Sequence, residues 1–216
     1  MTFLRANLLS FVALLIMITL SLLLYDGLPE RLPSHFSLSG EVDGTLPRQT
    51  MSILLPGFYL GLMLLINLLV RISPHKFSMP NSKRAMDIIV FGVGILFCFL
   101  HVGFLKNAGD FSFFVRYFSY GMALFLIITG NVFGKTERNF FVGLRTPWTL
   151  ASAANWKATH RLAARLMVAM GAVLLISNSL WSNLLATLVL SVSPLLIPLV
   201  YSYLYFNARE RNRHSI

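Results

Sequence analysis

Six apolar runs, each close to the length that crosses a bilayer, constrain this chain more than any other feature of it. A transmembrane helix needs roughly 20 mostly apolar residues, because the hydrocarbon core is about 30 Å thick and each helical residue rises about 1.5 Å. Runs approaching that length lie at 8–25, 51–70, 88–105, 113–133, 166–181 and 184–206. Only Ser182 and Asn183 clearly separate the last two, so a tight helical hairpin is expected there rather than one very long helix. Of the 216 residues, 56% are hydrophobic and 12% charged, whereas a soluble domain carries about 25% charged residues. The expected fold class is therefore all-α: a polytopic integral membrane bundle of six transmembrane helices, a single domain over 1–216. The first run resembles a signal peptide, but it ends in Leu24-Tyr25-Asp26 with no small-x-small cleavage site, and it reads as an uncleaved span.

Charge sets the orientation. The formal net charge is +10, which in a soluble protein would point to nucleic acid. Here the basic residues sit in short segments between apolar runs, so no nucleic-acid partner is expected and the lipid bilayer is the first partner. With the N-terminus in the cytoplasm, the inner segments hold Arg5; Arg71, Lys76, Lys83 and Arg84; Lys135, Arg138, Arg145, Lys157, Arg161 and Arg165; and Arg209, Arg211 and Arg213. Only Arg31, Arg48, Lys106 and Arg116 of the 18 basic residues then fall outside. The positive-inside rule selects N-in, C-in.

The spans themselves narrow the function. No Asp, Glu or Lys lies deep within any of them, and proton- and ion-coupled transporters carry such groups near the midplane. A coupled transporter is disfavoured. His101 and Arg116 lie near span ends, where both side chains can snorkel to the interface. Gly57-x3-Gly61 in the second span would let another helix approach closely. The single cysteine, Cys98, lies in a hydrophobic run and reads as a small core residue.

Two loops carry residue types that spanning a bilayer does not require. The first, between the spans of an opening hairpin over 8–70, is expected on the outer face. It contains Leu32, Pro33, His35 and Phe36, then Gly40, Asp43 and Gly44. Asp43-Gly44 favours a tight turn, since both positions tolerate positive φ. Pro29, Pro33 and Pro47 oppose a regular helix, so an ordered polar cap over the bundle is expected. His35, Glu41 and Asp43 are potential metal ligands, but no paired-His or HExxH spacing accompanies them, and no metal or cofactor is assigned.

The second loop, 134–165, is expected on the inner face and runs into the fifth span. It holds Asn139, Gly143, the block Arg145-Thr146-Pro147-Trp148-Thr149-Leu150, then Trp156, His160 and Arg161. Pro147 pushes Thr146 out of helical geometry, and Gly143 permits a tight turn. Trp148 suits the headgroup level, with its N–H toward water. From about Ser152 a helix can start, capped by Ser152 or Thr149. On it Lys157, Arg161 and Arg165 form one basic stripe suited to anionic lipid, with Trp156 and His160 on an adjacent face. His160 is the sole candidate base, and no Ser or Cys has nucleophile context, so no catalytic residue is assigned.

The pattern N-x3-G-x-R-T-P-W-T-L-x5-W-x3-H-R from Asn139 to Arg161 resembles the hallmark of the SdpI family of bacterial membrane proteins. The pattern L-P-x-H-F-x3-G-x2-D-G from Leu32 to Gly44 resembles the uncharacterised membrane segment that often precedes that module, here read over 130–206. The resemblance implies a multi-pass protein of the bacterial cytoplasmic membrane that confers immunity to a secreted, membrane-active peptide toxin. It also implies signalling, in which a cytosolic repressor is held at the membrane. The outer motif would then meet the toxin and the inner motif the repressor. Two other readings compete: a small-molecule or lipid-handling permease on the same fold, and a membrane enzyme using His160. The sequence does not specify an oligomeric state.

Overall fold

The computed structural model describes residues 7–37, 39–72, 82–107, 109–139 and 142–209. Arg5, Lys76, Arg211 and Arg213, four of the basic residues used to orient the chain, lie outside them. The described residues form seven α-helices, a one-turn 3-10 helix (Tyr25–Gly27) and one antiparallel β-hairpin: α1 (Leu8–Leu24), β1 (Arg31–Phe36), β2 (Val42–Pro47), α2 (Arg48–Ile72), α3 (Lys83–Lys106), α4 (Phe111–Phe133), the short α5 (Pro147–Ala151), α6 (Ala153–Leu180) and α7 (Leu184–Arg209). All but α5 are long and apolar enough to cross a bilayer, with mean hydropathies of 1.6 to 2.6. The six expected spans are there. The last two form the expected hairpin, turned by Trp181, Ser182 and Asn183, with the Asn183 side chain accepting from the Ala186 N–H.

The bundle buries polar residues alongside its apolar core clusters and turns leucines outward, as a lipid-facing surface demands. Ser119, Asn155, Thr159 and Ser202 are fully buried, whereas Leu22, Leu23 and Leu180 are 74%, 77% and 84% exposed. Some buried hydroxyls bond one another across helices or bond backbone carbonyls, whereas those of Ser52, Thr129 and Ser191 have no partner in the structure. Ser119 and Thr187 meet at 2.6 Å, joining α4 to α7, and the Asn178 amide donates to the Arg116 carbonyl, joining α6 to α4.

α4 is the central helix, packed between α3 and α6, with α7 leaning on α6 and α1 on α3 and α2. The close approach of α4 and α6 depends on glycines. A Cβ at Gly130 would lie 2.9 Å from the Ala164 carbonyl oxygen, and one at Gly171 would lie 2.8 Å from that of Ala123. Gly57 and Gly61, the pair whose spacing suggested a helix contact, meet nothing within 4 Å. They lie off the side of α2 that Tyr59 and Met63 hold, both fully buried against α1 and α3, and Gly57 borders an open cleft toward α1.

Two other expectations need correcting. His101 does not snorkel: it is fully buried, with Nε2 2.8 Å from Ser21 Oγ. The Ser21 hydroxyl gives Nε2 a partner inside the bundle, so that nitrogen needs no water. Arg116 is exposed as expected and donates from Nε to Ser182 Oγ. The turn of the hairpin is not at Asp43-Gly44. Those residues lie within β2, Gly44 paired with His35, and the reversal falls at Ser37 to Glu41, where Gly40 takes φ +86°. Only Gly tolerates that φ without strain, and the phenyl ring of Phe111 already fills the space a Cβ there would occupy.

Candidate functional site

The two motif loops form structured clusters at opposite ends of the bundle, and each divides into buried supports and an exposed rim. At the hairpin end, Leu32 is 1% exposed and packs with Leu28, Met51 and Leu105, which pins β1 to the mouths of α2 and α3. Phe36 rests on Phe111 and Phe114, ring centroids 5.2 and 5.4 Å away. Pro33 sits within β1, its half-buried ring opposite Thr45. These residues hold up a pair that faces outward: His35 Nδ1 lies 2.5 Å from Asp43 Oδ1, with the two side chains 72% and 46% exposed. Among the described residues no group of three His, Cys, Asp or Glu side chains is placed to hold a metal ion.

At the other end, residues 136–139 and 142–146 fold back onto the first turns of α6. Asn139 organises it. Its Oδ1 accepts from the Val142 N–H at 2.7 Å, and its Nδ2 donates to the carbonyls of Glu137 and Val142. The Glu137 N–H docks on Ser82 Oγ, which ties the loop to the start of α3. Trp156 donates from its indole N–H to the Thr136 carbonyl at 2.8 Å and stacks on His160, centroids 4.0 Å apart. Phe133 covers the other side of the imidazole at 5.1 Å.

His160 is fully buried, and both of its nitrogens are committed. The Leu144 N–H donates to Nε2 at 2.9 Å, so Nε2 must present a lone pair. The proton therefore sits on Nδ1, which donates to the Trp156 carbonyl at 2.8 Å. Neither nitrogen is left to accept a substrate proton. Gly143 crosses directly over this stack at φ +129°, where a Cβ would overlap His160 and the six-membered ring of Trp156.

Thr146 and Thr149 build a capping box for α5. The Thr146 hydroxyl accepts from the Thr149 N–H, and the Thr149 hydroxyl accepts from the Thr146 N–H at 2.9 Å while donating to the Leu144 carbonyl at 2.8 Å. Pro147 sits in the first turn, where its missing N–H costs nothing. Ser152, not Thr149, caps α6, accepting from the Asn155 N–H. Trp148 does not turn its N–H to water. It donates to Ser202 Oγ on α7 and packs edge-on against Tyr203, because α7 supplies a nearer acceptor than the interface.

What remains outward is a basic rim: Arg145, Lys157, Arg161 and Arg165 are exposed, with Pro147 beside Arg145. The sequence missed three residues that hold this end together. The Asn155 amide donates to the Ser202 carbonyl, and Thr159 donates to Asn155 Oδ1, both residues fully buried. Arg138 caps α5 from outside, donating to the carbonyls of Leu150 and Ala151. Asn155 and Thr159 stand at i and i+4 on a different face from the basic stripe of Lys157, Arg161 and Arg165, which was the available signal for the first two.

Residues 135–202 match the SdpI/YfhL protein family, and residues 12–60 match a domain of unknown function, DUF1648. Over 212 residues, 97% of this chain and 100% of the relative, the chain is 26% identical to a protein of Bacillus subtilis (strain 168) named "Immunity protein SdpI". No solved structure matches. The matched segment contains Trp156, His160 and the loop that packs on them, though not Phe133, and the likeness to the relative extends along nearly the full length. The chain is thus similar to the SdpI/YfhL protein family over residues 135–202 and to one protein named for immunity over nearly its whole length.

Proposed function

We propose that this protein is a non-enzymatic immunity protein of the bacterial cytoplasmic membrane, oriented N-in and C-in, that protects its cell from a secreted membrane-active peptide. The observation that carries the reading is the nearly full-length likeness to a protein named for immunity. The geometry is consistent with recognition rather than catalysis, since His160 spends both nitrogens on the backbone. On this reading the peptide meets the outward pair His35 and Asp43, while a cytosolic repressor meets the rim at Arg145, Pro147 and Arg161. The chain works as one domain in which an opening hairpin over 8–70 presents the outer surface and 130–206 presents the inner one.

Survival of a sensitive bacterium under such a peptide tests this. Cells carrying the wild-type protein should outlive vector controls, and Asp43→Ala at normal membrane levels should lose that protection. A reporter driven by the gene's own promoter should rise on exposure in wild type and stay flat in Arg145→Ala. Absence of protection by correctly inserted wild type would sink the immunity reading and return the lipid- or small-molecule permease to first place.

A further inference from the structure

The helix pair at the start of the chain is incompletely packed. Between α1 and α2 lies an apolar cleft of about 520 Å³, walled by Leu14, Ile18, Leu22, Ile53, Pro56 and Leu60 and floored by Gly57. It runs from Tyr25 and Gln49 near the hairpin to Leu14 and Leu60, eleven residues along each helix, or about 16 Å. That is half of a hydrocarbon core about 30 Å thick, the depth of one leaflet. A volume of 520 Å³ spread over that length leaves a strip far narrower than a helix, whose diameter with side chains is about 10 Å. One hydrocarbon chain has the matching dimensions.

Polar groups sit only at the hairpin end of the cleft. Ser52 lines it, is 5% exposed, and its hydroxyl has no hydrogen-bond partner in the structure. A hydroxyl so buried is unfavourable unless something accepts its proton. Above it, Gln49 also lines a second, polar cleft with Glu30, Arg31, Pro47 and Arg48. Two guanidiniums there face one carboxylate. Their hydrogen bonds go to neutral acceptors: Arg31 to the Thr45 hydroxyl and carbonyl, and Arg48 to the Leu28 carbonyl, while Arg48 also lies over the Tyr25 ring. Cationic groups above, a lone hydroxyl at the neck and a chain-wide apolar slot below form one continuous amphiphilic site.

We propose that this site holds one anionic phospholipid of the leaflet on the hairpin side. Its phosphate lies at Arg31 and Arg48, an ester carbonyl accepts from Ser52, and one acyl chain fills the cleft along Gly57. This is independent of the immunity reading, and no survival assay enters its test.

The test uses the full-length protein, delipidated in detergent, with binding followed by native mass spectrometry. Phosphatidylglycerol should bind at one molecule per chain and about tenfold more tightly than phosphatidylcholine, and matched inorganic phosphate should not displace it. Gly57→Leu places a side chain in the cleft, where a Cβ meets nothing within 4 Å, and Arg48→Gln removes the charge. Each should weaken phosphatidylglycerol binding by about tenfold or more, with the lipid-free unfolding temperature of Gly57→Leu unchanged. Equal binding of the two lipids would mean an annular layer only. Undiminished binding by Gly57→Leu would empty the cleft of its chain, and displacement by phosphate alone would reduce the site to its head. Dissociation of a dimer by Gly57→Leu, with lipid binding intact, would give the cleft to a second copy. Any of the four overturns the proposal.

Discussion

Gly143 and His160 show how single residues set the inner loop. The backbone at Gly143 is at φ +129°, directly against the Trp156–His160 stack, so both conformation and space exclude a side chain. Gly143→Ala should cost at least about 2 kcal/mol through backbone strain and overpacking, visible as a lower unfolding temperature in detergent. His160→Ala removes the acceptor of a buried N–H and leaves a ring-sized void. It should cost about 3 kcal/mol while changing protein level more than any chemistry. Nitrogen-15 resonances of His160 should show a protonated Nδ1 and a bare Nε2 at neutral pH; the opposite tautomer would refute the Leu144 contact. Residue types at this motif were visible in the sequence, but their roles were not. Asn139, Thr146, Thr149, Trp156 and His160 read as a recognition surface, and they are its buried supports, because only folding reveals which polar groups the loop's own backbone consumes.

Among the elements, the β-hairpin departs most from expectation. The prolines excluded a helix correctly, yet an ordered cap became a two-stranded ladder with Leu32 inward and His35 outward. Leu32→Ala should destabilise the fold by about 2–4 kcal/mol, whereas Asp43→Ala should leave unfolding unchanged and alter only the outward pair. The start of α4 depends on a charge. Asp110 accepts from the N–H groups of Ser112 and Phe113, and the Ser112 hydroxyl bond, followed by that to Phe113, holds its carboxyl below the usual carboxylate range. A depressed pKa means that the cap's contribution is complete above the usual carboxylate range and is lost as pH falls through the lowered value. Amide exchange at Ser112 and Phe113 should therefore gain an acid-induced acceleration in wild type that Asp110→Asn lacks.

For the whole molecule, lipid-facing leucines surround an interior in which apolar clusters alternate with polar contacts between helices, such as Ser119 to Thr187 and Asn178 to the Arg116 carbonyl. Orientation is open to direct measurement. In a Cys98→Ala background, an impermeant thiol reagent added to intact cells should label Ser39→Cys and reach Lys157→Cys only after permeabilisation. Reversed labelling would overturn the N-in assignment. Cys98 itself is buried, with its thiol donating to the Ala13 carbonyl, so it should not label.

Hydropathy alone determined six spans, because crossing about 30 Å of hydrocarbon is a requirement on length and composition that no neighbour can waive. The α6–α7 turn and the basic stripe of α6 followed from the same local rules. Tertiary structure alone decided which helices touch and which polar residues face in. The glycine pair with the recognised spacing, Gly57 and Gly61, faces open space, while Gly130 and Gly171, unremarkable in the sequence, let α4 and α6 meet backbone to backbone. Spacing says which residues share a face of a helix; only packing against a partner says whether that face is occupied.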